Sequence, residues 1–487
     1  MSAVVESLAV WLPGRGIAVG PVSFEISGLT LLTGRSGSGA TALAAALGGD
    51  LPRGALVRGG LARRPGGSEV SVHHVGSDRL DPPLDVPVSR ALGQPGPEAA
   101  ALWGRLGSDA DRGRSLRDLD PATYAAVPVL RGVLAALASR RDHPSVLLVV
   151  DQPLRLLTPD LREVVGQVLR DTADAGIDVC WVEHDLGTGV PLADRVVELV
   201  DQGDVVVRPA AAWRPRRLPL PPQASLARAL GLPESSWWDL DALAAVPLVQ
   251  AAVPTASGLV GSSTLAVVPV PAERAGVDLG ALAGVDVTVG ETLGVVPGSR
   301  DHRPALRIAR RIAASVDQEP RPRPPLEWPG HVPVQRLTQA WTRARGGDAD
   351  AALRSAARLA VVDGARGLAR HSTGEQRALV WALGVHSGRT EVLDRPEAGL
   401  DAHARRLMAA ALRAGGDTAT IVVSHDPEFL VRACHRLLVL PDPTDPEAPA
   451  LLGNPALVAA HLPHPPVLRR AGSRALRVRD VLEEVRR

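Results

Sequence analysis

At 487 residues the chain exceeds what one hydrophobic core supports, so two or more domains are expected. Lys and Arg total 54 against 53 Asp and Glu, and a formal net charge of +1 counts against wholesale nucleic-acid binding through a basic surface. The two cysteines, Cys180 and Cys434, offer no disulfide framework or metal spacing and suit a reducing compartment.

The cationic side chains are all arginine; lysine is absent, and Phe (2), Tyr (1) and Met (2) are scarce beside 9 Trp. The depleted types have AT-rich codons, so a GC-rich gene explains the bias. The opening "MSAVVESLAVWLPG" has an acid and no basic segment, so no signal peptide is expected. Next comes "LTLLTGRSGSGATALAAALGG" (29–49), an apolar run, a loop with Gly34, Gly37 and Gly39, and an alanine-rich helical pattern. Its spacing fits the phosphate-binding loop G-x-x-x-x-G-K-[ST], except that Ala40 stands where lysine belongs and Thr41 follows. Such a loop turns successive N–H groups on phosphate oxygens and adds the positive end of the helix. The apolar run "SVLLVVDQP" (145–153) then ends on Asp151 and Gln152, and "IDVCWVEHDLGTGVPLADRVVELVDQG" (177–203) contains His184.

"VRPAAAWRPRRLPLPPQ" (207–223) is rich in Pro and Arg and reads as a linker. From Ala242 to Ala272 there is no charge, but Pro247, Pro254, Pro269 and Pro271 interrupt the run. A linker with one buried strand fits better there than a membrane span, which needs ~20 mainly apolar residues. The landmarks then recur in the same order. "ETLGVVPGSRDHRPAL" (291–306) answers the phosphate loop, "RTEVLDRP" (389–396) answers 145–153, and "ATIVVSHDPEFLVRACHRLLVLPDP" (419–443) answers the histidine segment. Three matched landmarks in order predict a duplication. Buried apolar strands alternating with helices predict an α/β fold with a mostly parallel sheet in each half. The expected boundaries are 1–206 for the first domain, 207–260 for a linker region, 261–443 for the second domain, and 444–487 for a tail ending in a helix.

"HSTGEQRALVWAL" (371–383) resembles the signature L-S-G-G-[EQ]-Q-R of the ATP-binding cassette family, and "EAGLD" (397–401) resembles its D-loop. With the phosphate loop, strand-end aspartate and histidine in family order, the chain resembles two nucleotide-binding domains fused in tandem. The resemblance implies tandem P-loop NTPase domains, each with a helical subdomain, and ATP and Mg²⁺ as cofactors. It also implies head-to-tail pairing of the halves, each nucleotide lying between the phosphate loop of one half and the signature of the other. "VEHDL" and "LPPQASLARALGLP" (220–233) look like energy-coupling-factor importers, and "VGETLGVV" (289–296) looks equally like oligopeptide importers.

For the first site the resemblance assigns nucleotide contacts to Gly34, Arg35, Ser36, Gly37, Ser38, Gly39, Ala40 and Thr41, and, from the second half, to Ser372, Gly374, Glu375 and Gln376. Thr41 and Asp151 would hold Mg²⁺, with His184 at the switch position. Gln152 stands where the family has its catalytic glutamate; an amide can orient a water but cannot take its proton. In the second half Arg395 and His425 occupy the corresponding positions of a degenerate site. There "PGSRDHRP" (297–304) keeps one loop glycine, Gly298, with Arg303 at the lysine position and Pro304 at the hydroxyl position. The first-half signature is expected near "TYAAVPVLRG" (123–132), where no Ser-Gly-Gly occurs. Gln335 fits the Q-loop of the second half, and His73 and His74 lie where a Q-loop glutamine is expected in the first.

The leading expectation is the ATP-binding subunit of an importer, cytoplasmic and peripheral on the inner face of the plasma membrane. A separately encoded multi-span membrane subunit would be its partner, with no nucleic acid expected. The alternatives are a pseudo-ATPase that serves as scaffold or regulator, and a soluble tandem cassette acting on ribosomes or nucleic acid.

Overall fold

The structure, a computed structural model, describes residues 3–13, 16–62, 70–76, 84–93, 96–106, 112–201, 203–247, 249, 266–268, 285–316, 330–360, 362–371, 373–386, 388–416, 418–443, 448–458, 461–462, 466–472 and 481. They divide into two compact units, Met1–Pro221 and Pro222–Arg487.

The first unit runs, in chain order, β1 (Ala3–Leu12), β2 (Gly16–Ile26), β3 (Leu29–Gly34), α1 (Ala40–Leu47), β4 (Leu56–Ala62), β5 (Ser71–Val75), α2 (Val88–Ala91), α3 (Pro97–Arg105), α4 (Pro121–Ser139), β6 (Val146–Asp151), α5 (Pro159–Asp174), β7 (Asp178–Val182), α6 (Leu186–Leu192), β8 (Arg195–Asp201) and β9 (Asp204–Pro209). β2-β1-β4 form an antiparallel sheet, and a second sheet has the order β5-β6-β7-β3-β8-β9. That second sheet is parallel except for the β8–β9 ladder. Every residue of β3 and β6 is buried, as continuous apolar runs covered on both faces must be. Helix α1 packs its buried Leu43, Ala44 and Leu47 into one core with Val10, Val19 and Ile26 of the antiparallel sheet and Leu32 and Val149 of the parallel one. Its alanines leave both sheets room to approach. Among the described residues, α4 alone is long and apolar enough to cross a membrane; half of it is buried, including Val127, Leu130 and Val133.

The second unit runs α7 (Pro222–Ala229), α8 (Leu240–Ala244), β10 (Ala266–Val268), β11 (Thr292–Val296), α9 (Arg303–Val316), α10 (Val334–Arg345), α11 (Ala349–Leu359), α12 (Thr373–Val385), β12 (Glu391–Asp394), α13 (Ala402–Ala414), β13 (Thr420–Val423), α14 (Pro427–Ala433), β14 (Arg436–Val439), β15 (Ala450–Gly453) and α15 (Pro466–Arg470). Its sheet has the order β10-β15-β14-β11-β13-β12. The shared core of the two orders, β6-β7-β3-β8-β9 and β12-β13-β11-β14-β15, is the duplication seen in the sequence. Register aligns the halves residue by residue. Leu29 faces Val179 as Thr292 faces Thr420, and Asp151 faces Val182 as Asp394 faces Val423. Gly34–Thr41 therefore matches Pro297–Pro304 without a gap. The helical insertions also match: Pro87 bridges Ser115, and Pro333 bridges Gly367.

Three stretches differ from the sequence reading. The expected linker is folded: β9 pairs with β8, Trp213 is fully buried, and the Glu198 carboxylate accepts the N–H groups of Arg216 and Arg217 at 2.9–3.1 Å. Burying a carboxylate demands such donors, so this Pro/Arg-rich chain is held by its backbone. Farther on, Arg470 of α15 pairs with Asp241 of α8 at 2.7 Å. Past residue 443 the chain still supplies a strand, β15, to the second sheet. The closing helix expected over 473–487 falls, except for residue 481, outside the described residues, as does most of the uncharged 242–272 stretch. Gln335 lies inside α10, and His74 on β5 is tied through Nδ1 to Asp50 at 2.7 Å.

Candidate nucleotide-binding site

In the first unit the loop 35–39 joins β3, the centre of the sheet, to α1. Gly37 and Gly39 have φ of 88° and 95°, in the left-handed region that favours glycine. At Gly39 a Cβ would lie 2.3 Å from the Ala18 carbonyl oxygen, so β2 closes directly over the loop. Ser38 N–H donates to Arg35 O at 2.9 Å, and Leu43 N–H to Gly39 O at 2.8 Å, which tightens the turn and starts the helix. The Thr41 hydroxyl is 3.4 Å from Asp151 Oδ1. Ala40 is buried, and Arg35 is exposed at the loop's edge.

Gln152 follows Asp151 with φ 49°, and its N–H donates to Val182 O at 2.9 Å. His184 follows β7 through Glu183. Because β6, β7 and β3 are neighbours, Gln152, His184 and the glycine loop share the carboxyl edge of one parallel sheet, the usual ligand edge of such folds. There Ser38 Oγ, Gln152 Oε1 and His184 Nδ1 are buried without a hydrogen-bond partner among the described residues. Buried polar atoms are otherwise nearly always paired, so three on one edge mark a site built for polar ligand atoms. The Thr41–Asp151 pair adds the hydroxyl and carboxylate oxygens that suit Mg²⁺ beside a phosphate.

The second unit fills the same positions with its own side chains. His302, in Gly39's place, sets Nε2 3.5 Å from Asp394 Oδ1. Arg303, in Ala40's place, is turned back in a two-pronged pair on Asp301. Arg395 has φ 43°, like Gln152, but its Nε lies 3.2 Å from Asp394 Oδ1. His425 Nε2 donates to Ser299 O at 2.8 Å, and the rings of His302 and His425 meet edge to face at 6.0 Å. Burial alone would raise the Asp394 pKa; the His302 hydrogen bond and the charges of Arg395, His302 and Arg377 outweigh it and hold the carboxyl well below the usual range.

The signature segments correct one expectation. Through the matched bridges Leu116 aligns with Leu368, so the first-unit counterpart is residues 119–124 rather than 123–132. Asp120 stands where the second unit has Ser372, and its carboxylate caps α4 by accepting the N–H groups of Ala122 and Thr123 at 3.0 and 2.8 Å. A helix end capped by its own anion has no donors left for a phosphate. In the second unit Ser372 lies outside the described residues. Gly374 and Glu375 are buried at the start of α12, and the Gln376 amide donates to His371 O at 2.9 Å and Leu368 O at 3.3 Å.

Three residues escaped the sequence reading. Trp11 is 40% exposed, and pairs across strands with Ile17, next to Ala18, whose carbonyl lies against the Gly39 loop. The signal was a large aromatic on the outward side of a strand. Asp120 was legible as an N-cap before Pro121. His302 had no signal, since it matters only through the register of β11.

A glycine loop between strand and helix on the carboxyl edge of a parallel sheet, with an antiparallel sheet and a helical insertion beside it, defines a phosphate-loop nucleotide-binding fold. No family model matches the chain. An ABC transporter ATP-binding protein of Methanosarcina mazei is 31% identical over 120 residues, 24% of this chain and 40% of that protein. One of Methanosarcina acetivorans is 33% identical over 129 residues, 25% of this chain and 43% of that protein. The chain thus matches less than half the length of either relative. Two solved structures match nearly end to end. The archaeal ribosome recycling factor aABCE1, in complex with the ribosomal stalk protein aP1, has a TM-score of 0.51 at 14% identity, covering 90% of this chain and 88% of that one. ABCE1 bound to the ribosome with archaeal Pelota has a TM-score of 0.56 at 16% identity, covering 88% and 76%. At these identities the likeness is one of fold. Each half of the chain thus has the ATP-binding-cassette fold, two such folds in tandem.

Proposed function

We propose that the chain binds one Mg-nucleotide, at the first unit, and turns it over slowly or not at all. The carrying observation is the set of unpaired atoms Ser38 Oγ, Gln152 Oε1 and His184 Nδ1 around the glycine loop, while at the matching positions of the second unit Asp301 pairs with Arg303, Arg395 with Asp394, and His425 with the Ser299 carbonyl. Backbone N–H groups of 35–41 would receive the phosphates, and Thr41 and Asp151 the metal, which neutralises phosphate charge. Trp11 offers an exposed ring beside the loop on which a base can stack. Without a lysine at position 40 the site forgoes one charge-assisted contact, about 1.5–3 kcal/mol, or ten- to a hundredfold in affinity. Without a carboxylate at 152, proton abstraction from an attacking water lacks its base.

In this reading a membrane subunit is the partner, at the inner face of the plasma membrane; the named relatives, both ABC transporter ATP-binding proteins, support a membrane partner. A second reading, a soluble tandem cassette working on a ribosomal partner, is favoured by the near end-to-end fold match with the recycling factor. Calorimetric titration of the full chain with MgATP to millimolar concentration tests the common core. One nucleotide per chain is expected; none, or two, refutes it. Co-purification with membranes or with ribosomes then separates the two readings.

A further inference from the structure

Each unit buries one glutamate between the loop that follows the strand-end aspartate and the loop that carries the histidine, and each supplies it from the opposite side. In the first unit it is Glu183, just before His184. Its Oε2 accepts the Leu154 N–H at 3.2 Å, while Oε1 accepts the N–H groups of His184 at 2.7 Å and Asp185 at 3.2 Å. In the second unit the residue before the histidine is Ser424, and the carboxylate comes from Glu397, three residues after Asp394, where the first unit has Leu154. The Ser424 hydroxyl donates to Glu397 Oε1 and accepts the Asp426 N–H at 2.9 Å. Both carboxyl groups are 4–5% exposed.

The capping and bracing contacts of the two histidine loops recur. Asp185 and Asp426 cap α6 and α14 through the N–H groups of Thr188 and Phe429, at 3.3 and 2.9 Å. Arg162 of α5 and Arg405 of α13, at matching positions, brace those aspartates. The internal repeat thus acts as its own mutational comparison: Leu154 with Glu183 has become Glu397 with Ser424, and the bridge has survived while its side of origin changed. A carboxylate is costly to bury, so a bridge kept through such an exchange has a use beyond packing.

The geometry points to Glu183 as a positioning residue that locks the His184 loop to the loop after Asp151, so that the two move as one piece, with Glu397 doing the same in the second unit. Its effect on a bound phosphate rests on the proposed function; the lock itself does not. Burial raises the Glu183 pKa, as does the charge of Asp185, in keeping with a tightly enclosed group.

Hydrogen exchange of the full chain without nucleotide is the test. Glu183→Ser should speed exchange in 152–158 and 183–189 together, about tenfold, while β3 and α5 stay as in the wild type. Glu183→Ser with Leu154→Glu, the second unit's arrangement, should restore protection to within about threefold. Loosening of one loop alone by Glu183→Ser, or failure of the double variant to protect the loops, overturns the lock. With MgATP, Glu183→Ser should weaken binding, and weaken it no further where His184→Ala is already present; additive losses overturn the positioning of His184. A chain that binds no MgATP refutes the proposed function and leaves the exchange result standing.

Discussion

Asp394→Asn distinguishes a nucleotide site from a filled one, because the equivalent aspartates do opposite work. Asp394 is held by His302 at 3.5 Å and Arg395 at 3.2 Å, and its side chain is 36% exposed. A hydrogen bond to a charged group is worth about 1.5–3 kcal/mol, and solvent screening at this exposure cuts that to about 1–2 kcal/mol. In a unit of this size the loss lowers the melting temperature by about 3–6 °C. The sign with pH follows from the depressed pKa. The folded-state value lies below the unfolded one, so the contribution is complete above the ordinary aspartate value of ~4 and fades as pH falls toward the folded value. Wild type and variant should therefore melt several degrees apart at pH 7, the gap narrowing with each step below pH ~4. Calorimetric melts over pH 3–7, with MgATP titrations of the same samples, are the assay. Affinity should stay within twofold for Asp394→Asn and collapse for Asp151→Asn. Equal melting at pH 7, or loss of nucleotide binding in Asp394→Asn, would refute the filled site.

Ala40→Lys should tighten MgATP binding about ten- to a hundredfold by calorimetry, and turnover should rise only when Gln152→Glu is added. Trp11→Ala should weaken MgATP by about tenfold, in line with ~1–3 kcal/mol for base stacking, and leave inorganic triphosphate affinity unchanged. Gly39→Ala places a methyl 2.3 Å from the Ala18 oxygen at φ 95°, so MgATP binding should be lost and the first unit should melt lower.

What the sequence determined by itself were local and periodic features. Continuous apolar runs announced buried parallel strands, the ordered recurrence of glycine loop, aspartate and His-Asp announced the duplication, and Gly37 and Gly39 announced a loop only glycine can make. Each rests on the conformational preference of a few adjacent residues or on a repeat within one chain. The linker misled because proline and arginine describe a chain without periodicity, whereas its anchor, the Glu198 carboxylate, acts through backbone N–H groups that composition does not show. The tail misled in the same way, since β15 exists only as a partner of β14 and β10. Tertiary structure alone decided the difference between the halves. In the sequence the second loop looked eroded; in the fold His302 and Arg395 pair with Asp394, and the exposed Arg303 pairs with Asp301, so the carboxylates of the would-be site are held by the unit's own side chains. Pairing between residues nearly a hundred positions apart is set by strand register, and register is a property of the assembled sheet, not of either segment.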